Sequence, residues 1–183
     1  MPDRFDLARF VRAQDDVYAQ ALAEIRAGQK RSHWMWFVFP QVAGLGSSAM
    51  AQRYAIASLA EARAYLEHPA LGPRLIECAE AACAVDGRSA FEIFGSPDDL
   101  KLCSSATLFD AVSPRHSVFD RLLEKFFDGQ RDPRTLGIVG AEPKQGVRCV
   151  RCGGCVRCVG ATVRQVLGCI RVPHQRTLRT FRT

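Results

Sequence analysis

Phe10, Val17, Tyr18, Ala21, Leu22 and Ile25, with Gln14 among them, recur at the three- and four-residue spacing of a helix that buries one face. Gly28 follows at the position where a left-handed residue closes a helix, so a first helix is predicted up to that point. Ser58 with Glu61, and Ser89 with Glu92, have the spacing of capping boxes. Ser96, Pro97, Asp98 and Asp99 predict a third helix start, with Pro at the first helical position and acids in the first turn. Pro69 after His68 should stop the helix begun at Ser58, and residues 71–85, closed by Asp86 and Gly87, read as the next one. Val118, Phe119, Leu122, Leu123, Phe126 and Phe127 form one broad apolar stripe ending at Gly129. No two alternating runs flank an Asn-Gly or Asp-Gly turn, which argues against a hairpin-built sheet. Only residues 34–39 suggest a strand. The pattern predicts a mainly α protein, a single compact multi-helix domain.

Length and composition agree with one core: 183 residues, 48% hydrophobic and 24% charged, are ordinary globular values. The charge is divided unevenly. Residues 1–142 carry 16 Lys and Arg against 19 Asp and Glu, a balance of −3, whereas residues 143–183 carry 9 Lys and Arg and no acid, a balance of +9. The basic pI of about 9.1 therefore belongs to the tail, and a nucleic-acid partner for the domain does not follow from it. The N-terminal residues lack the apolar stretch of a secretory signal, and the longest strongly apolar run, residues 34–39, is far short of the roughly 20 residues a membrane helix needs. A cytoplasmic protein without a membrane partner is expected. In a reducing compartment Cys78, Cys83 and Cys103, set in apolar helical surroundings, read as small buried hydrophobes.

Two clusters combine aromatic and polar residues. Lys30, Ser32, His33, Trp34, Met35, Trp36, Phe37, Phe39 and Gln41 are followed by the turn Gly44, Leu45, Gly46, Ser47, Ser48. Each aromatic can bury about 150 to 250 Å², so the block serves equally as a core or as an exposed anchor for a protein partner. His33 is the candidate proton carrier of the cluster. Trp34, Trp36, Gln41, Gly44, Gly46 and Ser48 are candidate ligand contacts, because glycines let the backbone approach a ligand and the amides that start a helix near Ser48 can receive an anion. The second cluster runs from Lys101 to Phe109. Lys101 and Ser105 share a helical face, and with Ser104 and Thr107 they suggest a surface for a phosphate or sugar, or else hydroxyls that cap the backbone. Arg53 and Tyr54 are candidates to add a guanidinium and a phenol.

These stretches, with Ile93, Phe94 and Gly95 and with Asp132, Thr135 and Leu136, resemble the bacterial family called domain of unknown function 1810, over about residues 4–136. The resemblance implies an all-helical fold of one small domain and supplies no reaction or catalytic residues. Some relatives are labelled calpastatin, but the repetitive sequence of such an inhibitor is absent here.

Beyond Glu142 the composition changes. Val-Arg-Cys recurs at Cys149, Cys152 and Cys158, and with Cys155 the four thiols stand three apart. Four close thiolates suit zinc or an iron-sulfur cluster, yet zinc sites pair two Cys-x-x-Cys turns across a longer loop. An irregular or disordered low-complexity extension, or one that attracts nucleic acid through charge alone, explains the segment as well.

The sequence thus predicts a helical domain over residues 1–142 and a basic, Cys-rich tail over 143–183. The domain is expected to bind or process a phosphate-bearing or nucleotide-derived small molecule, with no cofactor and no specific nucleic acid. The rival readings are a protein-interaction module built on residues 34–39, and a metal- or nucleic-acid-binding tail.

Overall fold

The computed structural model describes residues 5–140. By its contacts the chain divides into Met1–Lys144 and Gln145–Thr183, and the described residues all belong to the first unit. The thiols at Cys149, Cys152, Cys155 and Cys158 lie outside them.

Among the described residues ten helices follow in chain order: α1 (Ala8–Gln14), α2 (Tyr18–Arg26), α3 (Met35–Val38), α4 (Ala49–Arg53), α5 (Leu59–Glu67), α6 (Leu71–Ala84), α7 (Ala90–Phe94), α8 (Asp98–Val112), α9 (Val118–Phe127) and α10 (Pro133–Val139). Among the described residues there is no strand, only one parallel bridge between Val42 and Ile56. The fold is mainly α.

Short-range signals set most boundaries. Ser89 and Glu92 form the full reciprocal cap of α7. Ser58 caps α5, but Glu61 does not complete a box: it accepts from the Ala57 amide and pairs with Arg9 at 2.6 Å. Pro97 stands just before α8 rather than at its first position. The helix expected to run through to Gly28 is broken, with residues 15–17 forming a turn between α1 and α2. Asp15 and Asp16 are poor helix formers, and Asp15 pairs with Arg74 of α6 at 3.6 Å. Gly28 does adopt the left-handed conformation, at φ +68°.

The strand expected at residues 34–39 is instead the single turn α3. A short, wholly apolar run has no period to separate strand from helix, and Pro40 forces Phe39 out of helical geometry at ψ 73°. Trp34 and Phe39 are 0% and 2% exposed, as are most of their neighbours, so the block belongs to the core and not to an exposed anchor. Trp36 alone of the six is partly exposed.

α8 is the centre of the domain. It packs against α5, α7, α9 and α10, and every residue from Ser104 to Asp110 is buried. The aromatic core runs along it, with Phe109 between Tyr65 and Phe119 at ring separations of 5.4 and 5.5 Å. Elsewhere α6 meets the end of α5 so closely that a Cβ on Gly72 would lie 1.9 Å from the Leu66 carbonyl oxygen.

Glu24 organises the chain after α2. Its carboxylate, 9% exposed, accepts from the amides of Arg31 (2.8 Å) and Ser32 (3.0 Å), the Ser32 hydroxyl (2.7 Å), Gln20 (3.1 Å) and the Trp34 indole (2.8 Å). Burial alone would raise its pKa, but the donors from Arg31, Ser32 and Trp34 bring it down from 4.5 to about 2.

Two outcomes follow for stability. Gly72→Ala should cost about 3 kcal/mol, because backbone must move to admit the methyl group, and a lower denaturation midpoint at unchanged slope checks it. Glu24 has a folded pKa below its unfolded one, so its stabilisation is complete above about pH 4.5 and is lost as pH falls towards 2. Glu24→Gln should remove about 2 kcal/mol at neutral pH and flatten the stability profile across that acidic window, read by denaturation at successive pH values.

Candidate functional site

One groove of about 920 Å³ is walled by three stretches far apart in sequence. The first wall carries Trp36, Gln41, Leu45 and the backbone turn through Gly46, Ser47 and Ser48; the second is the start of α8, with Leu100, Lys101 and Ser104. The third joins α9 to α10 and brings Phe127, Asp128, Arg131, Asp132 and Arg134.

Each wall is held for a local reason. In the first, the Val42 and Ile56 bridge fixes both ends of the loop, with Ile56 N–H donating to the Gln41 carbonyl and Ala43 N–H to that of Ile56, each at 2.9 Å. Gly46 packs on α4 so tightly that a Cβ would meet the Ala51 Cβ at 2.4 Å, and Gly44 turns the chain at φ +96°. Both glycines close the loop, then, and Gly44 is not part of the groove lining. Ser48 caps α4, its hydroxyl accepting from the Ala51 amide, so one of the amides expected to meet an anion is already taken.

The second and third walls are joined by hydrogen bonds. Ser104 Oγ donates to Asp132 Oδ2 at 2.8 Å, and Thr107 Oγ1 accepts from the Asp132 amide at 2.9 Å while donating to the Cys103 carbonyl at 2.8 Å. Asp132 in turn caps α10, taking bonds from the Arg134 and Thr135 amides and the Thr135 hydroxyl. Burial opposes ionisation of Asp132, but the Thr135 and Ser104 hydroxyls outweigh it and hold the pKa below the usual carboxylate value. Arg131 bonds Asp110 at 2.9 Å and Asp120 at 2.7 Å, which ties the loop to α8 and α9 and neutralises that guanidinium.

Lys101 is the cation presented by the second wall. Its Nζ stands 4.8 Å from the Trp36 ring centre and 2.7 Å from Asp98 Oδ1. Arg134 is exposed on the rim and has no ion pair among the described residues. Cys103 borders the groove, but burial pushes its thiol up to about 11, which keeps it protonated and a poor nucleophile at neutral pH. No group of three metal-ligating side chains occurs among the described residues.

The family model described as "Protein of unknown function (DUF1810)" matches residues 4–139, a span that includes every residue of the groove. The chain belongs to this family. The DUF1810 domain described here is also similar to the crystal structure of the conserved hypothetical protein Rv1873 from Mycobacterium tuberculosis, with 56% identity and a TM-score of 0.74, over 76% of this chain and 100% of that one. No curated protein matches. No helix among the described residues is long and apolar enough to cross a membrane.

Within the DUF1810 domain the expected site residues separate into two groups. Trp36, Gln41, Gly46, Ser48, Lys101 and Ser104 meet at the groove. Trp34 is sealed in the core by Glu24, and Tyr54, 7% exposed, packs against Phe10 and Phe37, with Arg53 lying over its ring on the outer side. Ser105 is 0% exposed and its Oγ has no hydrogen bond, since the helix turns it inward where Lys101, one turn earlier, still reaches the groove. Thr107 is buried and acts on the Asp132 backbone. His33 is exposed and off the groove lining, and among the described residues it has no hydrogen-bonded partner that would make it a proton relay. Arg131, Asp132 and Arg134 were absent from the expected set. Their signal was legible as Asp132 before Pro133, an N-cap with Pro at the first helical position.

Asp132→Ala should cost about 2 kcal/mol, losing the α10 cap and its tie to Ser104, whose hydroxyl keeps the Leu100 carbonyl as an acceptor at 3.1 Å, whereas Ser104→Ala should cost about 1 kcal/mol. Equilibrium denaturation of both variants, and hydrogen exchange confined to residues 130–139 in Asp132→Ala, check this.

Proposed function

We propose that the groove binds a small molecule that carries a phosphate or like anion next to a flat or apolar group. The observation that carries this reading is the Lys101 ammonium set over the partly exposed Trp36 ring inside a groove of ligand size. Arg134 and the Gln41 amide add a second cation and a hydrogen-bonding group on the same lining, and Leu45, Leu100 and Phe127 supply the apolar surface. Binding is the function assigned: the Cys103 thiol beside the groove is held protonated, and Ser104 is bonded to Asp132.

Titration of the full chain with adenosine diphosphate, ribose 5-phosphate and pyrophosphate tests the proposal. At least one should raise the melting temperature by mass action and change the Trp fluorescence. Lys101→Ala should weaken that ligand about tenfold, equivalent to about 1.4 kcal/mol, and Trp36→Phe should remove the fluorescence response. Binding untouched by Lys101→Ala would assign the anion to the nine cations of residues 143–183 and reject the groove.

A further inference from the structure

Asp98 does not serve Lys101 alone. Its Oδ2 lies 2.7 Å from Nζ of Lys30, as its Oδ1 does from Nζ of Lys101. The two lysines repeat one arrangement, for Lys30 Nζ stands 5.3 Å from the Trp34 ring centre and Lys101 Nζ 4.8 Å from that of Trp36. All three charged side chains are largely covered, at 9% exposure for Lys30, 16% for Asp98 and 20% for Lys101. Burial works against ionisation of Asp98, but the Lys101 and Lys30 hydrogen bonds prevail and keep its pKa below the usual value.

The sum is two ammonium groups on one carboxylate, an excess of one positive charge in a sheltered place. Indole faces ease that charge without cancelling it. Among the described residues no acid other than Asp98 forms an ion pair with either lysine, Asp128 and Asp132 of the groove lining included. Asp99 points about 100° round the helix and makes no ion pair with either lysine among the described residues. Glu24, at the Trp34 indole N–H, is occupied by its own five donors. A carboxylate held by Lys101 alone would leave the groove lysine neutralised; sharing it with Lys30 leaves Lys101 half compensated.

Resting on the reading of the groove as an anion site, we propose that Lys30 and Asp98 are positioning residues that set the charge of the anion subsite. Asp98 holds Lys101 against Trp36, and Lys30, which does not line the groove, draws off part of the Asp98 charge so that Lys101 remains available to a phosphate oxygen. The ligand's anion sits at the Trp36 and Lys101 end, and its remainder lies towards Leu100 and Phe127.

The test is calorimetric titration of the full chain with inorganic pyrophosphate, comparing wild type with Lys30→Met, Lys30→Arg and Asp98→Asn. Lys30→Met should weaken binding about fivefold, because Asp98 then neutralises Lys101 alone; Lys30→Arg should restore it. Asp98→Asn should move the other way and tighten binding several-fold, with a steeper dependence on salt. A merely structural role predicts weakening by both Lys30→Met and Asp98→Asn in proportion to their loss of melting temperature. That result, or unchanged affinity in both while Lys101→Ala still weakens binding, overturns the charge-setting role and leaves the groove reading intact. Absence of pyrophosphate binding in wild type overturns the charge-setting role, and if adenosine diphosphate and ribose 5-phosphate also fail to bind it overturns the groove reading. If Lys30→Met does not fold, the sign of the Asp98→Asn change decides.

Discussion

The first wall of the groove depends on one buried carboxylate. Glu24 projects from α2 into a segment that has no regular structure of its own, and five donors close on it. A buried carboxylate is costly unless such donors surround it, and four of the five donors here come from the chain just downstream, so satisfying Glu24 and folding residues 31–34 are the same event. The indole of Trp34 is drawn inward by that bond. One helical turn then carries Met35, Phe37 and Val38 into the core and leaves Trp36, between Met35 and Phe37, partly exposed. The exposed ring of the groove is thus a consequence of the buried one.

The opposite walls rest on a second polar net. α8 has almost no exposed face along its middle, yet it carries Ser104, Ser105, Thr107 and Asp110. Three of these bind the loop that leads into α10: Ser104 and Thr107 through Asp132, and Asp110 through Arg131. Polar groups in a core cost free energy unless paired, and pairing them across elements fixes the register of α10 on α8. Hydroxyls that suggest sugar or phosphate contacts are therefore mostly mortar between helices, and the polar groups left on the groove lining include Lys101, Gln41 and Arg134. Ser105 is the exception, a buried hydroxyl without a bond for which the structure offers no physical account.

Much of the helical framework was legible because caps and breaks act within three or four residues. Ser89 and Glu92, Gly28, Pro69 and the α9 stripe needed no distant partner to be interpreted. Errors arose where a distant partner decided. Asp15 leaves the first helix with the help of Arg74, and Glu61 abandons its capping box for Arg9. The run at residues 34–39 reads as a strand by content, and Pro40 with Glu24 makes it a turn of helix. Convergence of the two polar-aromatic clusters on one groove was conjectured from residue type alone, and the coordinates place members of both on its lining. The separation of Ser104 from Ser105 was not accessible, because helical phase alone does not say which side another helix covers.

By itself the sequence determined the helical class, the starts of α5 to α9 and the segregation of positive charge into residues 143–183, since each depends on composition or on neighbours within a turn. Only the tertiary structure decided which tryptophan is sealed and which is offered, which hydroxyls join helices, and that one carboxylate is shared by Lys30 and Lys101. The physical reason is range: propensity and capping are local energies written into adjacent residues, whereas the burial and pairing of a charge depend on what the rest of the chain brings against it.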